Sequence, residues 1–435
     1  IRSFQNHFRA EETREKNPRS LPLNSQCVSK IRDKTLLLPC IDPLNSKLVE
    51  AVLLREGIDA RMVPLTEKTI QHGLRTNSGQ CLPVNLIAQS YMDYIRENLL
   101  DPDHTAVWVF ESHIPCNIRM YPQMIKNLFE SNGGGLEKVD VYIGKLGMTD
   151  ISIAAGIEAY FAHMFGGMLR KIGCRIRPYE KEKGMTDTIM TQALNLFYNT
   201  LLGGRNKDDD IAKVVGLFRK IETIPGKRPK VAIFGDMYAR DNDVFNQDLI
   251  HCIEDYGGEV ITTPFNEFAK LIANPYIKRW FWEGEYLDAL LTKSIITLIN
   301  QLEKSYYKQF NELLSEPSFE TDFDYTKVLG AFDVRVQQFG ESADNLIKIA
   351  ALMRHYPDIS LFVQTNPAFC CAGLVTEAMV PRIEQYTGVP VVTLTYDGTG
   401  RNINEKIRPY IKFPRKKKTV KPAGDHPSGI LLRND

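Results

Sequence analysis

The sequence predicts an α/β fold with two Rossmann-like parallel-sheet domains joined by a helical segment. In both halves, short apolar runs of strand length alternate with longer segments of helical period, which is typical of a parallel sheet covered on both faces. Between them, the middle of the chain has helical period alone, and the breaker run IPGKRP at 224–229 follows it. We therefore expect an arm over 1–33, a first α/β domain over 34–148, a helical connector over 149–228, a second α/β domain over 229–412 and a basic tail over 413–435.

Each element of the first domain has a local reason. Apolar runs bounded by polar turns predict buried parallel strands, and apolar residues at a spacing of three to four predict helices. Pro83 suits the first turn of its helix, where a missing N–H is harmless, whereas Pro122 is expected to interrupt its helix early. The predicted strands are TLLLP (35–39), DARMVPL (59–65), TAVWVF (105–110) and VDVYIG (139–144), and the helices are 45–58, 81–100 and 119–131.

The second domain repeats this alternation after the helices of 150–224. Ser342 is expected to cap the helix that it precedes, because a serine hydroxyl accepts a hydrogen bond from an unpaired N–H of the first turn. Two strand-rich units around a helical middle give the chain a weak internal symmetry. The predicted strands are 230–239, 259–264, 361–365 and 389–397, and the helices are 244–258, 266–315, 342–356 and 372–387.

Composition bounds the possible partners and the compartment. The 435 residues have a formal net charge of +1, so bulk electrostatics predicts neither a nucleic-acid nor a membrane partner. No apolar run reaches the about 18–20 residues of a spanning helix, and the first 20 residues lack the apolar core of a secretory signal. Scattered cysteines without a disulfide framework fit a cytoplasmic protein. The first residue is not Met, so we expect a processed product or a segment of a longer polypeptide.

Three of the eight cysteines are placed where ligands bind in parallel α/β folds. Cys116 and Cys370 follow strands, and Cys81 follows a polar turn, so that each lies in a loop that opens a helix. A helix N-terminus is expected to lower the pKa of such a thiol and favour the thiolate that metals require. Cys40 also follows a strand and is the reserve ligand. Buried and inert core positions are expected for Cys27, Cys174 and Cys252.

The spacing of these cysteines leaves their chemistry open. Zinc usually gathers local C-x₂₋₄-C pairs and redox sites use C-x-x-C, and the sequence contains neither. A cubane iron–sulfur cluster, in contrast, takes thiolates from distant loops. Ordinary core filling, a zinc site and a cluster site therefore remain alternatives at this point.

Five stretches resemble a family of iron–sulfur proteins related to 2-hydroxyacyl-CoA dehydratases. The similarity is greatest to the dehydratase-like region of CoA-substrate-specific enzyme activases, and double-cubane cluster proteins are relatives. It spans about residues 33–412. One departure is the pair Cys371-Ala372 where the family usually has Met-Pro. The similar stretches are QCLPVN, IPCNIRMYP, GDMYARDNDVFNQDL, FGESADN and NPAFCCAGLV.

The resemblance implies both a cofactor and partners. It assigns Cys81, Cys116 and Cys370 as ligands of a [4Fe–4S] cluster or of half a sulfide-bridged double cubane, with Cys371 as a second reserve ligand. It implies an enzyme, a reductase or a dehydratase-like lyase component, that works as a homodimer. A separate ATP-hydrolysing iron–sulfur activase would deliver a low-potential electron, which passes to a 2-hydroxyacyl-CoA or another small molecule. A non-catalytic Rossmann-like binding module and a zinc protein are the alternatives.

Several other residues are weaker candidates for catalysis or ligand binding. Glu111 and His113 precede Cys116 and are expected to transfer protons if the site is catalytic. Arg240 and Asn242 fit either substrate binding or helix capping. Asp397 fits an Asp-Gly turn better than a site. The aromatic run WFWEGEY at 280–286 is expected in the core or at an interface.

Overall fold

The computed structural model describes residues 31–76, 79–110, 116–144, 148–314, 324–338 and 340–414. It contains two four-stranded parallel sheets among many helices, which confirms the predicted α/β fold. Glu111 and His113 lie outside the described residues, as do Cys27 and almost all of the predicted arm and basic tail.

The first sheet has the strand order β2-β1-β3-β4, with every neighbouring pair parallel. Its first helix begins at Pro43, two residues before the predicted start, because the Asp42 carboxylate caps it by accepting a hydrogen bond from Leu44 N at 2.9 Å. Thr66 caps a further helix that the sequence prediction omitted, accepting from Thr69 N at 3.1 Å. The elements are β1 (Thr35–Pro39), α1 (Pro43–Arg55), β2 (Asp59–Val63), α2 (Glu67–Leu74), α3 (Leu82–Glu97), β3 (Thr105–Phe110), α4 (Tyr121–Asn132) and β4 (Asp140–Gly144).

Three helices follow the first sheet, in the segment predicted to be helical. The first of them is capped by Ser152, whose hydroxyl accepts from Ala155 N at 2.9 Å. It is buried along most of its length, so it forms part of the core that surrounds the sheet. These helices are α5 (Ile153–Ile176), α6 (Met185–Gly203) and α7 (Lys207–Phe218).

The second sheet repeats the order of the first, as β6-β5-β7-β8, again with parallel neighbours. The weak internal symmetry of the sequence therefore corresponds to one strand order used twice. The elements are β5 (Lys230–Gly235), α8 (Met237–Asp241), α9 (Leu249–Asp255), β6 (Glu259–Ile261), α10 (Phe265–Glu283), α11 (Tyr286–Leu314), α12 (Tyr325–Ala331), α13 (Glu341–His355), β7 (Ile359–Pro367), α14 (Cys371–Ala378), α15 (Val380–Thr387), β8 (Val391–Tyr396) and α16 (Arg408–Lys412).

Several predicted element boundaries in this half are wrong for local reasons. The strand predicted over 230–239 stops at Gly235, because the Asp236 carboxylate caps α8 by accepting from Ala239 N at 2.8 Å. The helix predicted from residue 244 begins only at Leu249, since Gln247 and Asp248 have left-handed backbones with φ of 58° and 56°. The helix predicted over 372–387 is two helices, α14 and α15.

Ser342 does not cap α13 as expected. Gly340 occupies the cap position, and Ser342 lies inside the first turn, where its hydroxyl donates to the carbonyl of Ala372 at 3.2 Å. This hydrogen bond joins α13 to α14 and so connects the two segments that meet at the third cysteine loop.

A single apolar core runs from one sheet to the other. Val107 and Val109 of the first sheet belong to the same buried cluster as Ile233 and Val363 of the second. The carboxyl ends of the two sheets are therefore held in one packed body, and the loops that follow their strands can contribute to a common site.

Gly235, the last residue of β5, is expected to tolerate no side chain. Its φ is +116°, and a Cβ there would lie 2.3 Å from the carbonyl oxygen of Thr365 in β7. Gly235→Ala is expected to lower the free energy of unfolding by about 2–3 kcal/mol through strain and overpacking. Gly216→Ala in α7 is the control, because its Cβ meets nothing within 4 Å. Equal urea unfolding midpoints for the two variants would contradict this account.

Candidate functional site

The first and third cysteine loops are in direct contact. Cys81 stands immediately before α3, and the next N–H, that of Leu82, donates to the carbonyl of Ala368 at 3.2 Å. Ala368 lies two residues before Cys370, in the loop that follows β7. A backbone hydrogen bond thus fixes the spacing between a loop of the first sheet and a loop of the second.

Cys370 is held at the N-terminus of α14 with its thiol inside the protein. It is 3% exposed, and its Sγ accepts a hydrogen bond from Gly373 N at 3.3 Å. The preceding residue, Phe369, has a left-handed backbone with φ of 63°, which turns the chain sharply between the strand and the helix. The loop is therefore shaped to present one sulfur to the interior.

Two carboxyl groups face that sulfur. One ligand atom each from Asp236, Glu341 and Cys370 lies within 4.8 Å of the other two. Asp236 directly follows β5 and Glu341 is the first residue of α13, so separate elements of the second sheet supply the three groups. This is an arrangement of carboxylate oxygens and a thiol that can hold a metal ion.

Asp236 and Glu341 also act electrostatically on Cys81 and Cys116. Burial raises the pKa of both thiols, that of Cys116 to about 11, and the charges of Asp236 and Glu341 raise both further. The pKa of Cys370 is raised by the same causes. Cys81 Sγ also lies 3.4 Å from the Tyr121 hydroxyl. One carboxyl pair therefore acts electrostatically on all three thiols, and of the three sulfurs it is that of Cys370 that lies within 4.8 Å of ligand atoms of both carboxyl groups.

The expectation that helix N-termini lower the pKa values of these thiols is wrong. Hydrogen bonds at the helix N-terminus do favour the Cys370 thiolate, but burial and the neighbouring carboxylates outweigh them and raise its pKa. In the metal-free protein these thiols are therefore protonated at neutral pH. Binding a metal at this site would release protons.

The site gathers acidic groups without a matching fixed cation among the described residues. Burial raises the pKa of Asp236 to about 6, and burial together with Asp236 raises that of Glu341 to about 8. The Arg240 Nε already donates to Asp241 at 2.7 Å, and burial lowers the pKa of Lys348 to about 7. Three thiols and two carboxyl groups in such surroundings suit a bound cation or cationic cluster, which would offset their mutual repulsion.

The two reserve ligands are placed differently. Cys371 is exposed, with its Sγ 4.0 Å from the Asn117 side-chain oxygen. Cys40 is buried, and its pKa is raised to about 12 by burial and by Asp42. Its charged neighbours are those of a separate ion-pair cluster around Arg170.

The remaining sequence candidates have structural roles in the described residues. Arg240 is buried against Asp241. Asn242 donates to the carbonyl of Cys40 at 2.8 Å and accepts from Phe245 N at 3.1 Å, which is a capping and cross-linking role. Asp397 accepts from Thr399 N at 2.9 Å in the expected turn. Cys174 is buried and fits core filling, and Cys252 is half-buried.

Sequence reasoning missed the two carboxyl groups of the site. Asp236 follows the last residue of a buried strand, which is where ligand-binding side chains collect in parallel sheets, and that position was the available signal. Glu341 is the first residue of α13. Nothing local in its sequence indicates that its side chain faces a cysteine of another loop.

An apolar cavity opens beside the ends of β1 and β3. The space between its side chains is about 590 Å³, a volume that includes open solvent. The side chains that line it are mainly apolar, with a few polar groups from α1, α5 and α8. Met237 lines the cavity and follows Asp236 in the chain, so the start of α8 contributes one residue to the cavity and the preceding residue to the site. Its lining includes Trp108, Phe110, Asn45, His163, Met237 and Phe265.

His163 on α5 is expected to make stability depend on pH. Its ring lies 4.7 Å from that of Phe265, its Nδ1 is buried without a hydrogen-bond partner among the described residues, and burial lowers its pKa to about 4. The unfolded chain binds a proton near pH 6.5 and the folded one only near pH 4, so stability is lost as pH falls between these values. His163→Gln should remove about 2 kcal/mol of that loss in urea unfolding across pH 4–6.5. An unchanged pH dependence would contradict this assignment.

No family model matches the chain, and no curated protein matches it. The resemblance based on the cysteine loops therefore stays a prediction. Within the part of the chain that the structure describes, none of the helices has the length and apolar character needed to cross a membrane.

Proposed function

We propose that this chain binds an iron–sulfur cluster through Cys81, Cys116 and Cys370. One observation carries the proposal: ligand atoms of Cys370, Asp236 and Glu341 lie within 4.8 Å of one another, and the charges of the same two carboxyl groups act on the thiols of Cys81 and Cys116. Soft thiol ligands from separate loops suit a cluster, and a cationic centre would offset the repulsion between the acidic groups. Cys371 and Cys40 have no part in this ligand set.

In the proposed activity, the chain accepts a low-potential electron from an ATP-hydrolysing iron–sulfur activase in the cytoplasm and passes it to a bound substrate. When bound, the cluster supplies the one-electron chemistry. The protein's own groups bind the substrate, orient it and exclude water from the site. Asp236 and Glu341 hold protons at their carboxyl oxygens beside Cys370, because burial raises the pKa values of both into the neutral range.

The apolar cavity supports a substrate with an apolar part. Trp108, Phe110 and Phe265 line it, so an acyl chain or another small apolar group would lose contact with water there. The Asn45 side chain also lines the cavity and adds a polar group to its wall. A 2-hydroxyacyl thioester, with a hydroxyl next to an acyl chain, would match both features.

A single divalent metal, such as zinc, is the second candidate. The observation that favours it is the mutual distance within 4.8 Å of the Asp236, Glu341 and Cys370 ligand atoms, which suits one ion with mixed oxygen and sulfur ligands. In that case the chain would be a metal-binding module without electron transfer, and Cys81 and Cys116 would be dispensable for loading.

Purification without oxygen from iron-replete cells tests the proposal. A brown protein with acid-labile sulfide and about four irons per cubane is expected, and Cys81→Ala and Cys116→Ala should each remove most of the iron. Cys252→Ala is the matched control, because that thiol belongs to another part of the fold. Stoichiometric zinc without sulfide would support the second candidate. A colourless, metal-free protein would overturn both.

Turnover is tested separately, once cluster content is known. The loaded protein should become reduced by an ATP-driven activase, with a change in its visible spectrum, and should then convert a 2-hydroxyacyl-CoA from a substrate panel. If the protein binds a cluster but is not reduced by the activase, the proposed electron source is wrong.

A further inference from the structure

The cavity beside the ends of β1 and β3 has an aromatic lining. Trp108 and Phe110 come from β3, Phe265 is the first residue of α10, and the sulfur-containing side chains of Met148 and Met237 add to the apolar wall. Phe110 and Phe265 are only partly buried. Aromatic rings attract cations through the negative potential of their faces, and Trp is the strongest of the aromatic residues in this respect. The lining therefore suits an apolar ligand and also one that carries a positive charge.

The charged side chains that line this cavity are acidic. Asp42, the cap of α1, and Asp241, the last residue of α8, are both lining residues. Among the described residues of the lining, none is a lysine or an arginine. His163 adds no positive charge at neutral pH, because burial lowers its pKa to about 4. A ligand in the cavity therefore meets negative groups.

The two arginines that pair with these carboxylates are not among the lining residues. Arg170 Nη2 lies 2.9 Å from the Asp42 carboxylate, and Arg240 Nε donates to Asp241 at 2.7 Å. Arg170 also lies 3.2 Å from the carboxylate of Asp243. Three carboxylates thus share two guanidinium groups, which leaves one negative charge in excess within this cluster.

The pKa of Asp42 reflects the same imbalance. Burial raises its pKa, and the charges of Asp241 and Asp243 raise it further, so that together they outweigh the attraction of Arg170. Lys348, whose charge also interacts with Asp241, is shared with two further carboxyl groups of α13. An additional positive charge between Asp42 and Asp241 would therefore be favourable.

Both carboxylates also keep hydrogen-bonding capacity. Among the described residues, each Asp241 oxygen accepts one hydrogen bond, in both cases from Arg240. Asp42 Oδ2 likewise accepts one, from Asn45 Nδ2 at 2.9 Å. A carboxylate oxygen has about two acceptor sites, so each of these oxygens can accept a second hydrogen bond. An ammonium group on a ligand has the donors to make it, whereas a ligand carboxylate has none.

We propose that this cavity binds a small organic cation, in which an apolar or aromatic body carries a primary ammonium group. The body would pack against Trp108, Phe110 and Phe265, and the ammonium group would lie beside Asp42 and Asp241. A neutral ligand of the same shape gains only the apolar contacts, and an anion is repelled. The preference for a cation rests on the lining alone. That the cation is the end of the substrate's acyl chain rests, in addition, on the proposed function.

Titration calorimetry with three ligands of similar shape tests the preference for charge. Benzylammonium, benzyl alcohol and benzoate share a phenyl ring and differ in the charge of the attached group. At neutral pH, benzylammonium is expected to bind about tenfold more tightly than benzyl alcohol, and benzoate more weakly than either, because a charge-assisted hydrogen bond is gained only by the cation. Equal affinities for benzylammonium and benzyl alcohol, tighter binding of benzoate, or binding of none of the three would overturn the inference.

Two variants assign the binding to this cavity. Asp241→Asn should lower the affinity for benzylammonium to that for benzyl alcohol, and Phe265→Leu should weaken benzylammonium about threefold through the loss of one ring. Asp59→Asn is the matched control, because it removes a carboxylate from an ion pair that does not line the cavity. Circular dichroism checks folding, and Phe265→Leu decides alone if Asp241→Asn, which leaves Arg240 unpaired, is unfolded. Unchanged affinity in the folded cavity variants would overturn the inference.

Iron content, measured on the same samples, separates this inference from the proposed function. A preference for the cation in a chain without iron would support the cavity assignment and contradict the cluster, and iron without that preference would do the reverse. In a loaded and active protein, a 2-hydroxyacyl-CoA whose chain ends in an ammonium group should have a lower KM than one of equal length that ends in a methyl group. A lower KM for the methyl-ended thioester would overturn the assignment of the cation to the substrate.

Discussion

Replacing Cys370 by Ala is expected to abolish metal loading, whereas replacing Cys371 by Ala should leave the iron content unchanged. Cys370 Sγ is buried within 4.8 Å of ligand atoms of Asp236 and Glu341, so its loss removes the sulfur on which the site converges. Cys371, although adjacent in sequence, is exposed and directed toward Asn117. Two neighbouring residues at the start of a helix cannot both point into the same site without strain.

The measurement is iron and sulfide per chain after oxygen-free purification, with the visible spectrum as a second readout. Because Cys371 is exposed, its substitution should change the free energy of unfolding by less than about 0.5 kcal/mol. Iron loss in the Cys371 variant alone would mean that the ligand assignment is displaced by one residue. Full iron content in both variants would mean that neither cysteine of this loop is a ligand.

Replacing Arg170 by Met is expected to destabilise the protein by about 3–5 kcal/mol, because it leaves a buried carboxylate without its partner. The guanidinium on α5 lies 2.9 Å from the Asp42 carboxylate and 3.2 Å from that of Asp243, and it donates to the carbonyl of Asp241 at 3.1 Å. Asp42 follows β1, and the other two residues follow β5. One side chain thus connects the loops of both sheets.

Urea unfolding of the metal-free protein measures this effect. Arg61→Met is the matched control, because the Arg61–Asp59 pair is about half exposed and should contribute less than about 1 kcal/mol. Adding Asp42→Asn to the Arg170 variant should recover part of the loss, since the buried charge is then removed as well. Similar losses for the Arg170 and Arg61 variants would show that the buried pair does not hold the two sheets together.

The fold class could be predicted because its signals are local. TLLLP and TAVWVF are apolar over a length that suits a buried strand, and both form strands where predicted. The errors lie at the ends of strands and helices, where the conformation of the capping residue sets the boundary. Asp236 ends its strand early and Gly340 replaces Ser342 at a helix start, and both outcomes depend on backbone conformation that no periodicity encodes.

The candidate site divides in the same way. The sequence by itself determined that Cys81, Cys116 and Cys370 stand in loops that open helices, because strand ends and helix starts are visible in the order of residues. Only the tertiary structure decided that the sulfur of Cys370 lies beside Asp236 and Glu341, and that burial raises rather than lowers the thiol pKa values. The physical reason is that desolvation and charge–charge repulsion depend on which groups of distant segments are packed together, and that is fixed by the pairing of the sheets and their common core.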